Sequence, residues 1–392
     1  MPAPTPLEQL AEVAAPHRYI TLGIPSPQGS GPRRFILTPE AIGMLSASGI
    51  EVRLESGAGQ TIHYDDARYA ASGARICDRR TVLGSDIVLH LPALPLADAR
   101  MMRRGAMLLT LLNSDTADPR TIGELISRSV IALALDLVRD TSGNRPFADI
   151  LSEVDALAAI TLAAAALADP TSGKGILLGG IPGIVPCEVT VIGAGIPGRA
   201  AARAAIGTGA TVRIFDNDIY ALRETASSLP AHAIASILNP RVLTSALRTA
   251  DIVVATVPAD ISSDMVGAMK LGTIVYDLNP PRRRAFPTVP TIDLATDPDR
   301  AHPLTDSTGN PSRTCFLNPG ATVSRTCAMG VSNAFVAMMR DILTCDGPGN
   351  AIRLNPGMQG AVLTFMGRLT NASLARRSSL RYTDIHILVH LS

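Results

Sequence analysis

The sequence predicts an α/β protein with two doubly wound parallel-sheet domains. The 392 residues suffice for two domains of about 100 to 200 residues each. Short apolar strands alternate with helical stretches in two runs, residues 19 to 135 and residues 188 to 279. Between the runs, residues 139 to 149 (RDTSGNRPFAD) concentrate chain-breaking residues and mark the predicted exit from the first domain.

The first run contains strand candidates at intervals that leave room for helices between them. Such spacing is typical of a parallel sheet covered on both faces. An alanine-rich helix that ends at Ala168 is predicted to follow the breaker segment. The strand candidates are YITLGIP, EVRLES, DIVLHL, AMLLTLL and VIALALDL.

The second run begins at Glu188 and repeats the pattern, with crossover lengths that again suit helices. Beyond Asn318 we expect a helix over AMGVSNAFVAMMRDIL, then a glycine-rich break and a final polar helix from about Thr370. The strand candidates of this run are VTVIG, TVRIFD, DIVVATV and TIVYDLN.

Composition narrows the classes of partner. The 35 basic and 34 acidic side chains give a net charge of +1, and no lysine- or arginine-rich tract occurs, so nucleic acid is not an expected partner.

Five widely separated cysteines indicate reduced thiols in a cytoplasmic protein, with no metal site. The most apolar run, residues 156 to 168, is shorter than the roughly 20 residues of a membrane span and favours a buried helix. The Pro-rich, acidic N-terminus lacks a signal-peptide pattern, so no export is expected.

A glycine turn follows the strand that ends at Ile192. The spacing GxGxxG, with a helix-forming run after it, is the fingerprint of a Rossmann dinucleotide-binding domain. The first glycine permits the tight turn, the second lets a pyrophosphate approach the backbone, and the third lets helix and strand pack closely. A glycine turn with a purely structural role is the alternative. The predicted cofactor-binding residues here are Gly193, Ala194, Gly195, Ile196, Pro197 and Gly198.

An acidic residue ends the next strand, TVRIFD, about 20 residues after the turn. At this place the Asp216 carboxylate would accept hydrogen bonds from the adenosine ribose and repel a 2′-phosphate. The sequence therefore favours NAD over NADP, with Arg213 and Arg223 as the reservation. The alternative for Asp216 is an ordinary turn residue at a strand end.

Longer stretches resemble the alanine dehydrogenase and transhydrogenase nucleotide-binding family. The segment GKGILLGGIPGI running into VTVIGAGIPG resembles the family signature, and LNPGATVSRTC resembles its cofactor-side loop. The likeness extends over residues 19 to 390 or so. It implies a substrate domain of residues 1 to 150 and 336 to 392, a Rossmann NAD-binding domain of residues 151 to 335, and hydride transfer in the cleft between them. It also implies a homo-oligomer, and cofactor contacts from Ser152, Asn217, Thr256, Val257 and Asn318.

The groups that act on substrate in that family are mostly replaced. The resemblance assigns the carboxylate-binding arginine to Arg34, whose planar fork suits a carboxylate. The substrate lysine is replaced by Pro92, with His90 as the nearer basic group, and the proton-transferring histidine is replaced by Asn113. The nicotinamide-side aspartate is replaced by Pro281, which leaves Asp277 four residues earlier. Asn113 cannot take up a proton near neutral pH.

These replacements predict an NAD-dependent oxidoreductase that acts on a carboxylate-bearing amino, imino or oxo compound and is inefficient on L-alanine. The candidate catalytic residues are Arg34, His90 and Asn113. Two alternatives stay open: a catalytically retired NAD-binding protein that regulates a partner, and a soluble, transhydrogenase-like hydride relay.

Each candidate residue also has a structural alternative. Arg34 could belong to a solvated loop, His90 to a core, and Asn113 or its neighbour Asp115 to a helix cap. Ser152 could likewise be an N-cap. The three arginines in residues 280 to 286 could form an exposed turn or attract an acidic substrate or partner.

Overall fold

The computed structural model describes residues 20–27, 37–112, 116–230, 233–345 and 347–390. Arg34, Asn113 and Asp115 lie outside the described residues. The strands are β1 (Ile20–Ile24), β2 (Ile50–Glu55), β3 (Arg75–Cys77), β4 (Ile87–Leu89), β5 (Met107–Thr110), β6 (Ile131–Ala134), β7 (Glu188–Ile192), β8 (Thr211–Asp216), β9 (Ile234–Ile237), β10 (Ile252–Ala255), β11 (Ile274–Asp277), β12 (Thr291–Asp293), β13 (Thr314–Leu317), β14 (Val362–Phe365) and β15 (Arg368–Leu369).

Helices connect and cover the strands. Several begin at side chains that cap the first turn, such as Asp118 and Asp218, whose carboxylates accept backbone N–H groups. The α-helices are α1 (Pro39–Ala47), α2 (Asp66–Ala71), α3 (Arg79–Leu83), α4 (Leu96–Met101), α5 (Pro119–Ser127), α6 (Pro146–Ala168), α7 (Ile196–Gly207), α8 (Ile219–Ser228), α9 (Pro240–Thr249), α10 (Ser263–Ala268), α11 (Ser324–Thr344), α12 (Pro348–Leu354), α13 (Pro356–Gln359), α14 (Ala372–Ser378) and α15 (Ile385–His390).

The strands form two sheets, as the fold class predicts. The first has the order β15-β14-β6-β5-β4-β1-β2-β3 and the second β12-β13-β11-β10-β7-β8-β9. The second sheet is parallel throughout, with the strand order of a Rossmann domain. In the first sheet, β14 pairs antiparallel with β6 and with β15, so an antiparallel hairpin extends an otherwise parallel sheet. The sequence had not predicted this hairpin.

The main reversal of strand order lies between β1 and β4 in the first sheet and between β7 and β10 in the second, where β12 also lies outside β13 at the edge. Loops that leave neighbouring strands on opposite sides of such a point open a crevice at the carboxyl edge, where doubly wound sheets bind ligands. The two carboxyl edges therefore decide where the functional site lies.

Helix α6 passes from one core to the other. Phe147 and Leu151 pack into the core of the first sheet, while Ile160 and Leu167 pack into that of the second. The helix has 23 residues and includes the apolar run of residues 156 to 168 in its C-terminal half, where seven side chains are buried as predicted. In the part of the chain that the structure describes, α6 is the one helix whose length and apolar composition would allow it to cross a membrane. Core helices also meet this criterion, and the buried side chains of α6 lie inside the protein.

Candidate functional site

The glycine turn after β7 has the geometry that its sequence predicts. Gly193 has a positive φ of 109°, and a Cβ on Gly198 would overlap the Gly193 carbonyl oxygen. By contrast, a Cβ on Gly195 would have only the Pro197 ring nearby, at 3.9 Å. The turn is therefore tight where the backbone must close on itself and open where a ligand would approach.

Helix α7 begins at this open side. Gly195 is its N-cap, Ile196 and Pro197 open its first turn, and no side chain of the described part of the chain caps it. The first N–H groups of a helix have no partner inside the helix, and together with the helix dipole they attract anions. The residues present therefore fit the pyrophosphate of a dinucleotide.

Asp216 lies at the end of β8 beside the turn. Its Oδ2 accepts a hydrogen bond from the Ala194 N–H at 2.6 Å, and its Oδ1 accepts one from the Asp218 N–H at 3.0 Å. Each carboxylate oxygen has a second lone pair, so the group can still accept hydrogen bonds from ribose hydroxyls. The carboxylate thus both fixes the glycine turn and faces the place predicted for the ribose.

Other side chains hold the turn from behind, and two of them were not predicted. Thr256 donates to the Ile192 carbonyl at 3.1 Å, as the loop after β10 approaches Gly193. Thr225, fully buried on α8, donates to the Ala194 carbonyl at 2.8 Å. Asn279 donates to the Val257 carbonyl at 3.1 Å and so fixes the same loop. A buried threonine or asparagine gives no signal in sequence that it will meet a turn so distant in the chain.

A cavity of about 470 Å³ lies between the carboxyl edges of the two sheets, and we call it the interdomain cavity. The first sheet contributes residues after β4, β5 and β6, and the second contributes residues at the ends of β11, β12 and β13, with α6 as a third wall. Its lining includes Leu91, Pro92, Leu111, Asp136, Ala148, Leu151, Ser152, Asp155, Asp277, Leu278, Asn279, Pro280, Pro281, Asp293, Leu317 and Asn318.

Two predicted cofactor residues lie in this wall. Ser152 donates to the Asp149 carbonyl at 3.0 Å from inside α6, so its alternative role as an N-cap was wrong. Asn318 adopts a left-handed conformation and donates to Asp293 Oδ1 at 2.8 Å. Asn217, also predicted to contact the cofactor, lines a different cavity, described below.

His90 lies next to the interdomain cavity but is not among its lining residues. Its side chain is buried, Nδ1 is 3.0 Å from the Pro92 carbonyl, and Nε2 has no hydrogen-bond partner in the described part of the chain. Burial lowers the pKa of the imidazole, against the opposing effect of the Pro92 carbonyl. A catalytic role for His90 stays a prediction, and its surroundings are those of a core histidine.

Asp136 is a functional candidate that the sequence had not suggested. It follows β6, and its Oδ1 accepts a hydrogen bond from the Leu112 N–H at 2.9 Å. Burial raises the pKa of this carboxyl group, more than the hydrogen bond from Leu112 lowers it. A carboxyl group with a raised pKa in a cleft is suited to proton transfer. The available signal was an acidic residue at the carboxyl end of an apolar strand.

The other three aspartates of the wall have structural partners. Asp155 accepts from the Gly320 N–H at 2.8 Å, and Asp293 accepts from Asn318. Asp277 accepts from the Asn279 side chain at 2.9 Å and from the Phe286 N–H at 3.0 Å. These bonds tie the loops of the second sheet to each other and to α6.

Comparison with known proteins agrees with this architecture. Residues 23–158 match the family model "Alanine dehydrogenase/PNT, N-terminal domain", and residues 159–372 match "Alanine dehydrogenase/PNT, C-terminal domain". The alanine dehydrogenase of Geobacillus stearothermophilus is 28% identical over 378 residues, covering 94% of this chain and 99% of that protein. The alanine dehydrogenase of Mycobacterium tuberculosis (strain ATCC 25618 / H37Rv) is 28% identical over 376 residues, covering 93% and 98%.

Solved structures show the same fold. An L-alanine dehydrogenase superposes with a TM-score of 0.79 at 20% identity, covering 94% of this chain and 100% of that one. A transhydrogenase from Sinorhizobium meliloti superposes with a TM-score of 0.70 at 19% identity, covering 90% and 99%. The two family models together span both sheets, and the chain therefore belongs to the alanine dehydrogenase/PNT family of NAD-related oxidoreductases.

Proposed function

We propose that the protein is an NAD-dependent oxidoreductase that acts on a small amino, imino or oxo compound bearing a carboxylate. The observation that carries this proposal is the interdomain cavity, in which Ser152 and Asn318 of the predicted cofactor set share a wall with Asp136. The volume of about 470 Å³ is in the range of small-molecule sites.

The dinucleotide would be held mainly by the second sheet. The helix N-terminus at Gly195 would take the pyrophosphate, and Asp216 would take the adenosine ribose. When bound, the nicotinamide supplies the hydride chemistry. The chain itself contributes binding, orientation and proton transfer.

Asp136 is the proposed proton-transfer group. In its ionised form it would accept the proton that the substrate nitrogen or oxygen loses on oxidation, and in the reverse direction it would return that proton. Its raised pKa brings it closer to neutral pH, where a base is most effective. The family positions of lysine and nicotinamide-side aspartate are Pro92 and Pro281, which line the cavity and carry no proton to transfer.

Charge supports a substrate that carries an amino group. The described lining residues of the interdomain cavity include four aspartates and no arginine or lysine. A protonated amine would therefore be attracted, while the carboxylate is assigned to Arg34, which lies outside the described residues.

A second candidate function is NAD binding without turnover. The specific observation in its favour is that His90, a predicted catalytic residue, is buried and does not line the interdomain cavity. Proton transfer would then depend on Asp136, whose pKa is raised by burial. A hydride relay between two nicotinamides needs little acid or base and is compatible with the same wall.

Calorimetric titration with NAD and a spectrophotometric screen of amino and oxo acids separate these functions. We expect NAD binding, turnover with at least one amino or oxo acid, and no significant turnover of L-alanine. Binding without turnover of any compound would favour the second function. Ordinary enzymatic turnover of L-alanine would contradict the assignment of the replaced residues, and no nucleotide binding would contradict both functions.

We also propose self-association, which the family resemblance predicts. Segment 176–185 exposes several large apolar side chains, among them Leu177, Ile181, Ile184 and Val185, and exposed apolar patches often mark interfaces. Light scattering measures the mass in solution, and a monomer at all concentrations would contradict this proposal. A cytoplasmic location stays a prediction.

A further inference from the structure

A second cavity, of about 440 Å³, opens on the outer side of the second sheet, and we call it the outer cavity. Asn217 contributes from the end of β8, Leu238 from the end of β9, and Pro258 and Ala259 from the loop after β10. The outer cavity therefore spans the carboxyl edge of this sheet beyond Asp216. A dinucleotide with its pyrophosphate at the glycine turn would direct its adenosine toward this half.

Three consecutive arginines, Arg282, Arg283 and Arg284, line the outer cavity. They belong to the loop after β11, whose preceding residues Pro280 and Pro281 line the interdomain cavity instead. The loop thus separates the two cavities and turns its arginines toward the adenosine side.

The arginine loop is held in place from below. Arg284 donates to the Phe286 carbonyl at 3.2 Å and to the Thr291 hydroxyl, while the Phe286 N–H donates to Asp277. Arg282 and Arg283 are exposed. Against the three arginines, the described lining offers one acidic residue, Asp260. Positive side chains therefore outnumber negative ones among the described lining residues.

The arginines that the sequence suggested as adenosine-side cations lie elsewhere. Arg213 pairs with Glu188 at 3.2 Å, and the Arg223 guanidinium lies over the Tyr220 ring at 5.8 Å from its centre. Neither lines the outer cavity. The cations near the predicted adenosine position come instead from the loop of Arg282, which follows Asp216 by almost 70 residues in the chain.

Asp216 opposes a phosphate on the ribose, but less than an isolated carboxylate would. Both of its oxygens accept backbone N–H groups, from Ala194 and from Asp218, which offset part of its charge. Guanidinium groups bind phosphate with two parallel hydrogen bonds and keep their charge at any working pH.

We propose that the outer cavity is a phosphate subsite on the adenosine side, which lets the protein bind NADP(H) as well as NAD(H). Arg282 and Arg283 would bind the 2′-phosphate. The proposal rests on the dinucleotide site of the proposed function and adds to it the chemistry of its adenosine end.

The test is calorimetric titration of the full chain with NAD⁺ and, separately, with NADP⁺. For the wild type we expect dissociation constants within about tenfold of each other, because the arginines offset the repulsion by Asp216. In Arg282→Ala/Arg283→Ala we expect the NADP⁺ affinity to fall by about tenfold or more, while the NAD⁺ affinity changes by less than about threefold. Raising the salt concentration should weaken NADP⁺ binding more than NAD⁺ binding.

Arg223→Ala is the matched control, because it removes an arginine of the same domain that lies outside the outer cavity. It should leave both affinities unchanged. If the wild type binds NAD⁺ but not NADP⁺, or if the double variant weakens both nucleotides equally, the phosphate subsite is refuted and the dinucleotide site stands. If neither nucleotide binds the wild type, the proposed function fails as well.

Discussion

The two sheets reverse strand order in the same way, yet their carboxyl edges are built differently. In the second sheet, the crevice between β7 and β10 is shaped by backbone: a glycine turn, a helix start and the loop at Thr256. In the first sheet, the crevice between β1 and β4 lies beside a network of side chains around Arg79. One edge leaves donors open to a ligand, and the other satisfies its charges internally.

Arg79 illustrates the second arrangement. It donates to Asp98 through two nitrogens, to Glu55 at 2.7 Å, and to the Ser26 carbonyl at 3.0 Å. Burial acts to lower the pKa of the guanidinium, but the hydrogen bonds and charges of Asp98 and Glu55 outweigh it and raise the pKa. A half-buried arginine matched by two carboxylates ties the loop after β1 to β2 and α4 and is not available to a substrate.

The contrast bears on how each edge should respond to substitution. A backbone-built site needs a few glycines and one acid, so it tolerates change elsewhere in the sequence. A site built from side chains changes its chemistry with each replacement, as the family resemblance implies at Pro92 and Pro281, which line the interdomain cavity. Nucleotide affinity should therefore be sensitive to substitutions that change the backbone shape at the carboxyl edge of the second sheet. Turnover should be sensitive to substitutions that change charge in the interdomain cavity.

The largest effect is expected for Asp136→Asn. Removing a positioned base should lower turnover by about 10² to 10⁴-fold while NAD affinity is unchanged. Wild-type oxidation should become faster as pH rises through the raised pKa of Asp136, because only the ionised form accepts a proton. Steady-state kinetics over a pH series measure both effects.

Stability gives an independent readout of the same group. Since the folded pKa of Asp136 lies above the unfolded value, its contribution to stability is lost as pH rises through that folded pKa, and the variant should lack this loss. Asp297→Asn, at an exposed position, is the control and should change neither readout. Unaltered turnover in Asp136→Asn would exclude Asp136 as the proton-transfer group.

Gly198→Ala tests the backbone-built edge. The added methyl group would overlap the Gly193 carbonyl oxygen, so the turn must open and NAD affinity should fall by about a hundredfold. Gly207→Ala is the matched control on the same helix, since a Cβ there meets no atom within 4 Å. Calorimetry measures affinity, and circular dichroism verifies folding. Equal affinities in the two variants would show that the turn does not hold the nucleotide.

Much of the fold could be predicted because parallel strands buried on both faces appear as short apolar runs. Two of the strands that the sequence had not suggested lack this signal, whereas β13 (TCFL) and β14 (VLTF) are short buried runs that the sequence analysis missed. β3 has only three residues and begins with an arginine, and β9 lies at an edge with Ile234 and Ile237 exposed. The β14–β15 hairpin turns at Met366 and Gly367, both with positive φ, where an Asn-Gly pair would have been recognisable.

The candidate site divides in the same way. Gly193 and Asp216 could be predicted because a local backbone pattern defines them. The environment of Asp136 could not, since its raised pKa depends on burial between two sheets. Nor could the direction of the Arg282 to Arg284 loop, which depends on contacts of Arg284 and Phe286 with residues distant in sequence.

Asp251→Asn tests whether the only lysines of the chain are structural. Lys174 and Lys270 both donate to Asp251 Oδ1, at 3.1 and 2.9 Å, at the amino edge of the second sheet, far from the substrate edge along the strands. Burial acts to raise the pKa of Asp251, but the hydrogen bonds from Lys270 and Lys174 outweigh it and hold the pKa low. Because Lys270 is 41% exposed, we expect a loss of about 2 kcal/mol in unfolding free energy rather than the full cost of a buried pair.

Urea unfolding measures this loss, and nucleotide affinity should not change. Lys174→Met should destabilise more than Lys270→Met, because Lys174 is the more buried of the two. If either lysine variant lost turnover without losing stability, an ammonium group would act at the substrate site after all.

The smallest effect concerns His90. Because burial holds its folded pKa below the ordinary value of about 6.5, the neutral ring should stabilise the fold above that pH and lose this contribution as pH falls through the folded pKa. His90→Gln should flatten this acid-side slope of unfolding free energy, by at most about 1.4 kcal/mol per pH unit, whereas the exposed His386→Gln should not. If His90→Gln instead shifts the pH profile of turnover and leaves the slope intact, His90 transfers protons as the sequence predicts. The first sheet would then retain a titratable catalytic group at its own reversal point, and the contrast between the two edges would be one of degree.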